Sequence, residues 1–567
     1  MNAKTMIVAV VFLVALAVVV ACPAPAAPAP LPVVATKVAP PNQPSPTAVP
    51  PALAVKPTVA STVAQAVAPA KPKTGGSLTY VLNQEIATLD PGQMRFAVEN
   101  MVGHQIYDNL FWLDKDKNLQ PGLAKSWKAN PNYTVLDVEL RNDVKYHDGS
   151  PFNAEAVVAW FNRILDPNYK IGGSVYYLGK VSKVEKTGDY SVRFTLKAPS
   201  LSFMKDMAQR YSGIGSPKAA AASGDKFGVQ PVGTGPFIFK EYLPGSHVKL
   251  VRNPDYKWGP AFLKHEGPAY LDEITFRFIS EDASRAAAIE SGNVQVISRT
   301  PYADAGRLSK NPKFKVISNY IAGMPQMNHL NVTVEPTNDL KVRQAINYAV
   351  DKAGIVKTVY FGLTVPAYGP VNQWDPAFEP KVKGMYSYNP EKAKQLLTEA
   401  GWVDKGGDGI REKDNKKLAG TIVQNQGWNE WVEFLQANLK AIGFSAKIVT
   451  LTSAAYTQRG NSCTEALPSN GAVNYDPLSM YFNAKGTNNW SCLQDPKLQA
   501  LFDEASAALD QAKRDQVIKQ MQGYIMENAY EVPIVELAFF TTMQQNVQGI
   551  VYDATGFYPW LLDATVN

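Results

Sequence analysis

The sequence predicts an α/β protein that is built from more than one lobe. Its 567 residues exceed what a single hydrophobic core usually holds, so two or three lobes are expected. Residues 271–278 have the pattern of a strand, 282–292 that of a helix and 294–297 that of a second strand, an order that is typical of α/β lobes. With 46% hydrophobic residues and a mean hydropathy of −0.18, most of the chain can bury a core.

The first residues have the pattern of an export signal. Lys4 precedes an apolar run at 7–20, which is short for a membrane-spanning helix but suits the hydrophobic part of a signal peptide. The run ends at Val19-Val20-Ala21-Cys22, which is similar to a bacterial lipobox. It predicts a signal peptide at 1–21 and lipidation of Cys22, and an uncleaved membrane anchor is the alternative. Both interpretations place the rest of the chain outside the cytoplasm.

A tether is predicted at residues 22–74. This segment is rich in Ala, Pro, Val and Thr and carries almost no charge, so it cannot bury enough surface to fold. At about 3.1 Å per residue in polyproline II geometry, it could span on the order of 100 Å.

The folded part begins with a strand at 78–82 and a turn at 87–91, which reads ATLDP. Apolar residues at helical spacing then predict a helix over 98–112. Residues 133–140 alternate as a half-buried strand, and a second strand of this kind is predicted at 190–196.

A capped helix is predicted after the turn at Asp148-Gly149. Asn153 is a suitable N-cap, and apolar residues follow it at helical spacing as far as Ile164. Short strands are predicted at 237–239 and 248–251. The preceding Gly233-Thr234-Gly235 is not a phosphate-binding loop, because no lysine follows it and Pro236 would break a helix.

The second half of the chain alternates between strands and helices. A strand at 327–332 leads to a helix at 340–352. Further helices are predicted at 391–399, 433–442, 496–509 and 512–528, and further strands at 444–451 and 531–537. The last strand is expected to cross back to the first lobe.

The residue order of these segments resembles family 5 of the solute-binding proteins of ABC importers, which includes oligopeptide, dipeptide and nickel binders. The similar runs are PGLAKSW at 121–127, LRNDVKYHDGSPFNAEAVVAWFNRI at 140–164, PVGTGPFIFKEYLPGSHVKLVRNPDYKWG at 231–259 and VRQAINYAVD at 342–351. The resemblance extends from about residue 75 to the C-terminus. It implies a two-lobed, periplasmic-binding-protein-like fold of the class II type with an accessory subdomain. The implied domains are lobe I at 75–118, 230–325 and 535–567, the accessory subdomain at 119–229, and lobe II at 326–534.

The resemblance also implies a function without chemistry or cofactor. Such a protein captures a solute between two lobes and delivers it to the membrane permease of an ABC importer, as a monomer held at the outer face of the cell membrane by its lipid. Peptide is the expected solute, with an oligosaccharide or another small polar solute as the alternative. An anchored extracellular hydrolase is the alternative from another class, although the sequence contains neither GxSxG nor HExxH.

The ligand-facing positions follow from the resemblance alone. They are Arg95, Phe96, Ala97, Val98, Met327, Asn328, His329, Trp428, Asn470, Ala472, Val473, Asp476 and Trp490. Peptide binders of the family carry an aspartate for the peptide's α-amino group where Val473 stands here. A buried ammonium without a counter-charge would cost several kcal/mol, so this departure argues against ordinary recognition of a free amine.

The remaining motifs indicate no metal and no nucleic acid. Outside a cell, Cys463 and Cys492 are expected to pair, and two free buried thiols are the alternative. The run DKGGDGIRE at 404–412 lacks the oxygen ligands of a calcium loop and is interpreted as a polar turn. The five histidines are scattered, and the net charge of +6 comes without an arginine-rich block.

Overall fold

The structure is a computed structural model, and it describes residues 74–169, 174, 179–320, 323–425, 431–470, 477–553 and 555–567. At 453, 454, 470 and 477 it describes the backbone only.

Strands and helices alternate along the described residues. In chain order the strands are β1 (Ser77–Leu82), β2 (Phe111–Leu113), β3 (Leu119–Pro121), β4 (Ala124–Ala129), β5 (Val135–Leu140), β6 (Val181–Gly188), β7 (Ser191–Leu196), β8 (Phe237–Leu243), β9 (His247–Arg252), β10 (Glu273–Phe278), β11 (Val296–Ile297), β12 (Phe314–Tyr320), β13 (Gln326–His329), β14 (Glu412–Lys413), β15 (Lys416–Lys417), β16 (Ala419–Asn425), β17 (Ser445–Leu451), β18 (Leu467–Asn470), β19 (Glu531–Val535), β20 (Ala538–Gln544), β21 (Val547–Gln548), β22 (Val551–Tyr552), β23 (Pro559–Trp560) and β24 (Thr565–Val566).

The helices connect these strands and cover the sheets. In chain order they are α1 (Ala97–Ile106), α2 (Ala154–Leu165), α3 (Phe203–Asp206), α4 (Pro217–Ser223), α5 (Asp282–Glu290), α6 (Tyr302–Leu308), α7 (Leu340–Ala349), α8 (Lys352–Thr358), α9 (Pro390–Glu399), α10 (Val432–Ala441), α11 (Ser453–Asn461), α12 (Pro477–Phe482), α13 (Pro496–Ala507) and α14 (Gln511–Glu527). Among the residues that are described, no helix is both long and apolar enough to cross a membrane.

A seven-stranded sheet forms the centre of the first lobe. Its order is β12-β20-β11-β1-β10-β9-β8, so strands from the start, the middle and the end of the chain lie side by side. β1 is parallel to both β10 and β11. The predicted strand–helix–strand unit is therefore confirmed, and β1 lies between its two strands.

A four-stranded sheet, β4-β5-β7-β6, adjoins the first lobe and carries α2. The side chain of Asn153 accepts a hydrogen bond from the backbone N–H of Ala156 at 2.9 Å, which confirms the predicted cap. Trp160 and Phe161 on α2 are buried, and they belong to the same hydrophobic cluster as residues of β1 and β10. The two sheets thus share one core.

A five-stranded sheet of order β17-β16-β18-β13-β19 forms the centre of the second lobe. β16 is parallel to β17 and β18, whereas β13 is antiparallel to β18 and β19. Two hydrophobic clusters pack on this sheet. One contains residues of α7, α9 and α10, and the other contains residues of α12, α13 and α14.

The glycine-rich segment at 233–235 packs against the end of α1. A Cβ atom on Gly233 would lie 2.1 Å from the carbonyl oxygen of Ile106, so only glycine allows this approach. The backbone N–H of Gly235 donates to the same oxygen at 2.8 Å. These glycines therefore have a packing role.

Asp108 lies beside this segment and is buried. Its carboxylate accepts hydrogen bonds from the Thr234 hydroxyl at 2.9 Å, the Tyr256 hydroxyl at 3.0 Å and the Trp258 indole N–H at 2.9 Å. One side chain thus joins α1 to the segment that resembles the 231–259 run of the family.

Two predicted helices are wrong in extent. The helix expected at 98–112 ends at Ile106 because Tyr107 is extended, with φ −120° and ψ 145°, and Phe111 begins a strand instead. The helix expected at 340–352 ends at Ala349. Asp351 then caps a new helix by accepting from the N–H of Gly354 at 2.8 Å.

Candidate functional site

Two segments of the chain cross between the lobes. The first connects β12 to β13, and the second, Glu536 and Leu537, connects β19 to β20. β12 pairs with β20 in the first lobe and β13 pairs with β19 in the second, so the crossings run next to each other. The predicted return of the chain at 531–537 is confirmed.

The structure brings together two of the predicted ligand-facing segments. β13 and β18 are antiparallel neighbours, with Met327 opposite Asn470 and Asn328 opposite Ser469. The side chains of Met327 and Asn328 are fully buried. The Asn328 amide donates to the Leu467 carbonyl at 3.0 Å, while its own oxygen has no hydrogen-bond partner within the described part of the chain.

His329 lies in an aromatic cluster of the second lobe. Its ring stacks on Tyr481 at 5.2 Å between centroids and meets Phe482 at 5.5 Å and Trp490 at 5.8 Å. Burial lowers the pKa of His329 to about 3, so the imidazole is neutral. Among the residues that the structure describes, neither ring nitrogen has a hydrogen-bond partner, which leaves one donor and one acceptor for a group that enters the cluster.

Trp490 is held in this cluster by its neighbours. Its indole N–H donates to the Asn461 side chain at 2.7 Å, and the ring is buried.

Cys463 and Cys492 form a disulfide with a Cα–Cα distance of 5.9 Å. The Asn331 amide donates to the Cys463 carbonyl at 3.0 Å, so the disulfide is connected to the chain just after β13.

The segment at 95–98 belongs to the other lobe and starts α1. The Glu99 carboxylate accepts from the backbone N–H groups of Arg95 at 2.6 Å and Phe96 at 2.9 Å. Phe96 is 52% exposed and Val98 is buried, while Ala97 is partly buried. This segment therefore offers an exposed aromatic ring and a cation on the first lobe.

The other predicted positions divide into described and undescribed residues. Trp428, Ala472, Val473, Asp476 and Cys22 lie outside the described residues, and at Asn470 only the backbone is described. Of the remaining tryptophans of the second lobe, Trp431 is in its core and Trp374 is 49% exposed. The 404–412 turn has Asp404 accepting from the N–H groups of Gly407 and Gly409 at 2.7 and 3.1 Å.

Three buried ionisable groups near the second crossing escaped the sequence analysis. Burial raises the pKa of Glu536 to about 8, lowers that of Lys352 to about 8 and raises that of Glu531 well above its usual value. Glu536 accepts from the backbone N–H of Gln373 at 3.1 Å, and Lys352 donates to the Ala367 carbonyl at 3.0 Å. The signal in the sequence was the pair of acids that flank the apolar residues of EVPIVEL at 531–537.

Comparison with known proteins identifies what this geometry resembles. Residues 118–492 match the family described as bacterial extracellular solute-binding proteins, family 5 middle. The glutathione-binding protein GsiB of Escherichia coli O1:K1 / APEC is 26% identical over 502 residues, which are 85% of this chain and 93% of that protein.

Solved structures have the same two-lobed fold. The oligopeptide-binding protein AppA of Bacillus subtilis, in complex with a nonapeptide, has a TM-score of 0.69 and 27% identity, and the match covers 88% of this chain and 100% of AppA. NikA of Brucella suis, in complex with Fe(III)-EDTA, has a TM-score of 0.78 and 24% identity, covering 87% of this chain and 100% of NikA. The fold class expected from the sequence is thereby confirmed.

Proposed function

The chain belongs to family 5 of the bacterial extracellular solute-binding proteins, and we propose that its solute is a peptide, which it holds between its two lobes for an ABC importer. The observation that carries this proposal is the match over 118–492. That range includes β12, β13, the crossing between them and most of the second lobe. The relatives with the stated solutes glutathione and a nonapeptide support a peptide.

Capture follows from the paired crossings. Two adjacent segments can act as a hinge, because small changes in their backbone angles rotate one lobe against the other. A solute that contacts both lobes favours the closed arrangement only by its higher affinity for that arrangement. The closed lobes would then present a joint surface to the permease.

The proposed contacts come from opposite lobes. Arg95 and Phe96 contribute a cation and an aromatic face from the first lobe, and His329 contributes a neutral donor and acceptor from the second. A peptide carries amide donors and acceptors that match an imidazole. Since valine stands at position 473, we expect the solute's amino group to contribute little, so that an N-acetylated peptide binds about as well as the free one.

An oligosaccharide is the second candidate solute. The exposed ring of Trp374 is the kind of surface on which a sugar face stacks. A hydrolase is the alternative from another class, and the same experiment distinguishes it, because a hydrolase would return the solute cleaved.

Anchoring is part of the proposal. Lipidation at Cys22 and a tether at 22–74 would keep the protein at the outer face of the membrane, within reach of the permease. The Ala- and Pro-rich composition of the tether, which has four lysines and no acidic residue, supports this arrangement.

The experiment combines native mass spectrometry of co-purified solute with thermal melting in the presence of defined probes. The probes are glutathione, one nonapeptide in free and N-acetylated form, and one oligosaccharide. We expect a peptide probe to raise the melting temperature, since a ligand at about 100 times its Kd stabilises by about 2.7 kcal/mol, and to be recovered unaltered. A cleaved probe, or stabilisation by the oligosaccharide alone, would contradict the proposal.

A matched pair of variants tests the site. His329→Phe keeps an aromatic ring in the cluster but removes both nitrogens, so it should reduce the shift in melting temperature that the peptide produces. His104→Phe is the control, because His104 is also a buried histidine whose ring nitrogens have no hydrogen-bond partner among the described residues, and it lies in the first lobe beside Trp560. Equal losses in the two variants would show that His329 acts through stability alone.

A further inference from the structure

One segment, residues 363–375, connects the two crossings, and we call it the brace. On the side of the first crossing, the Ser318 hydroxyl of β12 donates to the Leu363 carbonyl at 3.2 Å. The backbone N–H of Asn372 donates to the carbonyl of Gly323 at 3.0 Å. The brace is thus bonded to β12 near its first residue and to the first crossing near its last.

The brace also holds the second crossing, at Glu536. The backbone N–H of Glu536 donates to the Val365 carbonyl at 3.0 Å, and the Thr364 hydroxyl donates to the Glu536 carbonyl at 2.7 Å. The Glu536 carboxylate accepts from the N–H of Gln373. Any rotation at the crossings must therefore move or strain the brace.

The end of the brace belongs to the second lobe. Directly after it, the Gln522 amide of α14 donates to the Ala377 carbonyl at 2.5 Å and accepts from the N–H of Glu379 at 3.0 Å. The Trp374 ring packs on Tyr320, the last residue of β12, at 3.9 Å between centroids. The position of Asp375 is accordingly set by α14 on one side and by the first crossing on the other.

An ion pair joins this end of the brace to the first lobe. Lys117 lies in the turn between β2 and β3. Phe111 of β2 belongs to the core of the first lobe. The Lys117 ammonium group is 2.7 Å from a carboxylate oxygen of Asp375, and the two side chains are 20% and 28% exposed. The other oxygen of Asp375 accepts from the N–H of Ala377 at 2.9 Å, which orients the carboxylate.

This pair differs from ion pairs that lie within one lobe. Arg193 and Asp137 join neighbouring strands of one sheet, and Lys341 and Glu399 join two helices of the second lobe. Relative motion of the lobes would separate Lys117 from Asp375, whereas it would leave the other two pairs in place. The energy of the Lys117–Asp375 pair therefore enters the balance between open and closed arrangements directly.

We infer that the Lys117–Asp375 ion pair is a latch that ties the brace to the β2–β3 turn and favours the arrangement of the lobes seen in this structure. The latch rests on the hinged closure proposed above, but it acts in the absence of solute. Its loss changes the ratio of open to closed protein on the order of two- to fivefold, the range expected for an ion pair that is largely but not fully shielded from water.

The test measures the distance between the lobes in solute-free protein by single-molecule energy transfer. Dyes are attached at Leu243→Cys and Leu509→Cys, two exposed apolar residues of the first and second lobes, in the full chain with Cys22→Ser. Lys117→Asn suits the positive φ of 62° at this residue, and Asp375→Asn retains an oxygen for Ala377. Both variants are expected to move population away from the distance between the lobes that the parent protein shows.

Four comparisons make the outcome specific to the latch. Lys117→Arg keeps the charge and should leave the distances unchanged, and Arg193→Ala, which removes an ion pair within one sheet, should do the same. The double variant Lys117→Asn/Asp375→Asn should match the single variants, because both remove one interaction. At about 1 M salt, where the Debye length is about 3 Å, the parent protein should move in the direction of Lys117→Asn.

The latch is overturned if Lys117→Asn leaves the distance distribution where Arg193→Ala leaves it, or if the two single effects add in the double variant. Since no solute is present, that result would leave the peptide proposal standing. If no peptide probe raised the melting temperature while the latch variants still changed the distance between the lobes, only the proposal of a peptide solute would be contradicted.

Discussion

The surroundings of three histidines lower the pKa of each imidazole strongly. Burial lowers the pKa of His104 to about 3, as it does at His329, and desolvation lowers that of the half-buried His147 to about 4. His104 is surrounded by aromatic rings, with Trp560 at 5.1 Å and Trp112 at 5.7 Å between centroids. Between the folded pKa and about pH 6.5, each such histidine stays neutral in the folded chain and binds a proton when the chain unfolds.

His104→Phe is therefore expected to make the protein less sensitive to acid. The folded pKa lies below the unfolded value of about 6.5, so the stability that neutral His104 contributes is complete above about pH 6.5 and is lost as pH falls toward the folded pKa. Between pH 7 and 5 the variant should lose about 2 kcal/mol less stability than the parent. Urea unfolding of both proteins at the two pH values measures the difference.

Asp108 also changes the stability of the protein with pH, so the effect of His104 has to be measured as a difference between the variant and the parent. Burial raises its pKa to about 6, so its ionised form is a burden on the fold above that value, and acidification relieves it. This contribution has the opposite sign to that of the histidines. If His104→Phe and the parent lost equal stability between pH 7 and 5, the neutral state of buried His104 would be contradicted.

Residue types alone could predict only part of the candidate site. The resemblance to the family selected Met327, His329 and Asn470, although the pairing of β13 with β18 depends on tertiary structure that no spacing in the sequence reveals. Within the described residues, the His329 nitrogens lack hydrogen-bond partners because aromatic rings surround the imidazole, and the sequence does not show which rings these are. The buried Lys352 was not predicted, because a lysine in the first turn of a helix is usually solvated.

At the scale of elements, α2 is tied to the LDP turn by a buried carboxylate. Asp90 is almost fully buried, and Arg163 of α2 donates to it at 2.6 and 3.3 Å. The Tyr169 hydroxyl donates to the same carboxylate at 2.8 Å. This contact holds the four-stranded sheet and its helix against the start of the first lobe.

Arg163→Ala is expected to destabilise the protein strongly, because it leaves a buried charge with less compensation. We expect a loss of about 2–4 kcal/mol, somewhat below the range for a fully buried pair because Arg163 remains partly exposed. The control is Arg193→Ala, whose exposed pair should contribute less than about 1 kcal/mol. Urea denaturation followed by circular dichroism measures both, and equal losses would count against the role of Asp90.

Local patterns predicted elements well where the local signal agreed with the packing. The cap at Asn153 and the start of α2 follow from the residues themselves, and the strand predicted at 190–196 is β7, Ser191–Leu196. The helix expected at 98–112 failed because Asp108 has its hydrogen-bond partners in a distant segment. Apolar residues at helical spacing cannot reveal that a tertiary contact pulls the chain out of the helix.

At the scale of the whole molecule, the first lobe depends on the last segment of the chain. β20 lies between β12 and β11 in the seven-stranded sheet. Leu561 and Leu562 near the C-terminus are buried in the core of this lobe. The resemblance predicted this return, whereas the place of β20 within the sheet is a property of the structure.

Truncation after Val535 should therefore unfold the first lobe while leaving the second with all of its strands. The expected result is loss of native near-UV circular dichroism and rapid proteolysis within 74–300, because β11 and β12 lose their shared partner. A chain that starts at residue 74 is the control, since it retains every strand of both sheets. Persistence of a protease-resistant 74–300 fragment in the truncated protein would contradict this dependence.

The position of β20 has a consequence for how the protein is made. Ribosomes synthesise the chain from its N-terminus, so the strand that completes the larger sheet emerges after nearly everything else. β19, which completes the five-stranded sheet, emerges directly before it, so both lobes are completed late. Late completion of the fold suits a chain that is exported, because a secretion channel accepts an unfolded polypeptide more readily than a folded one.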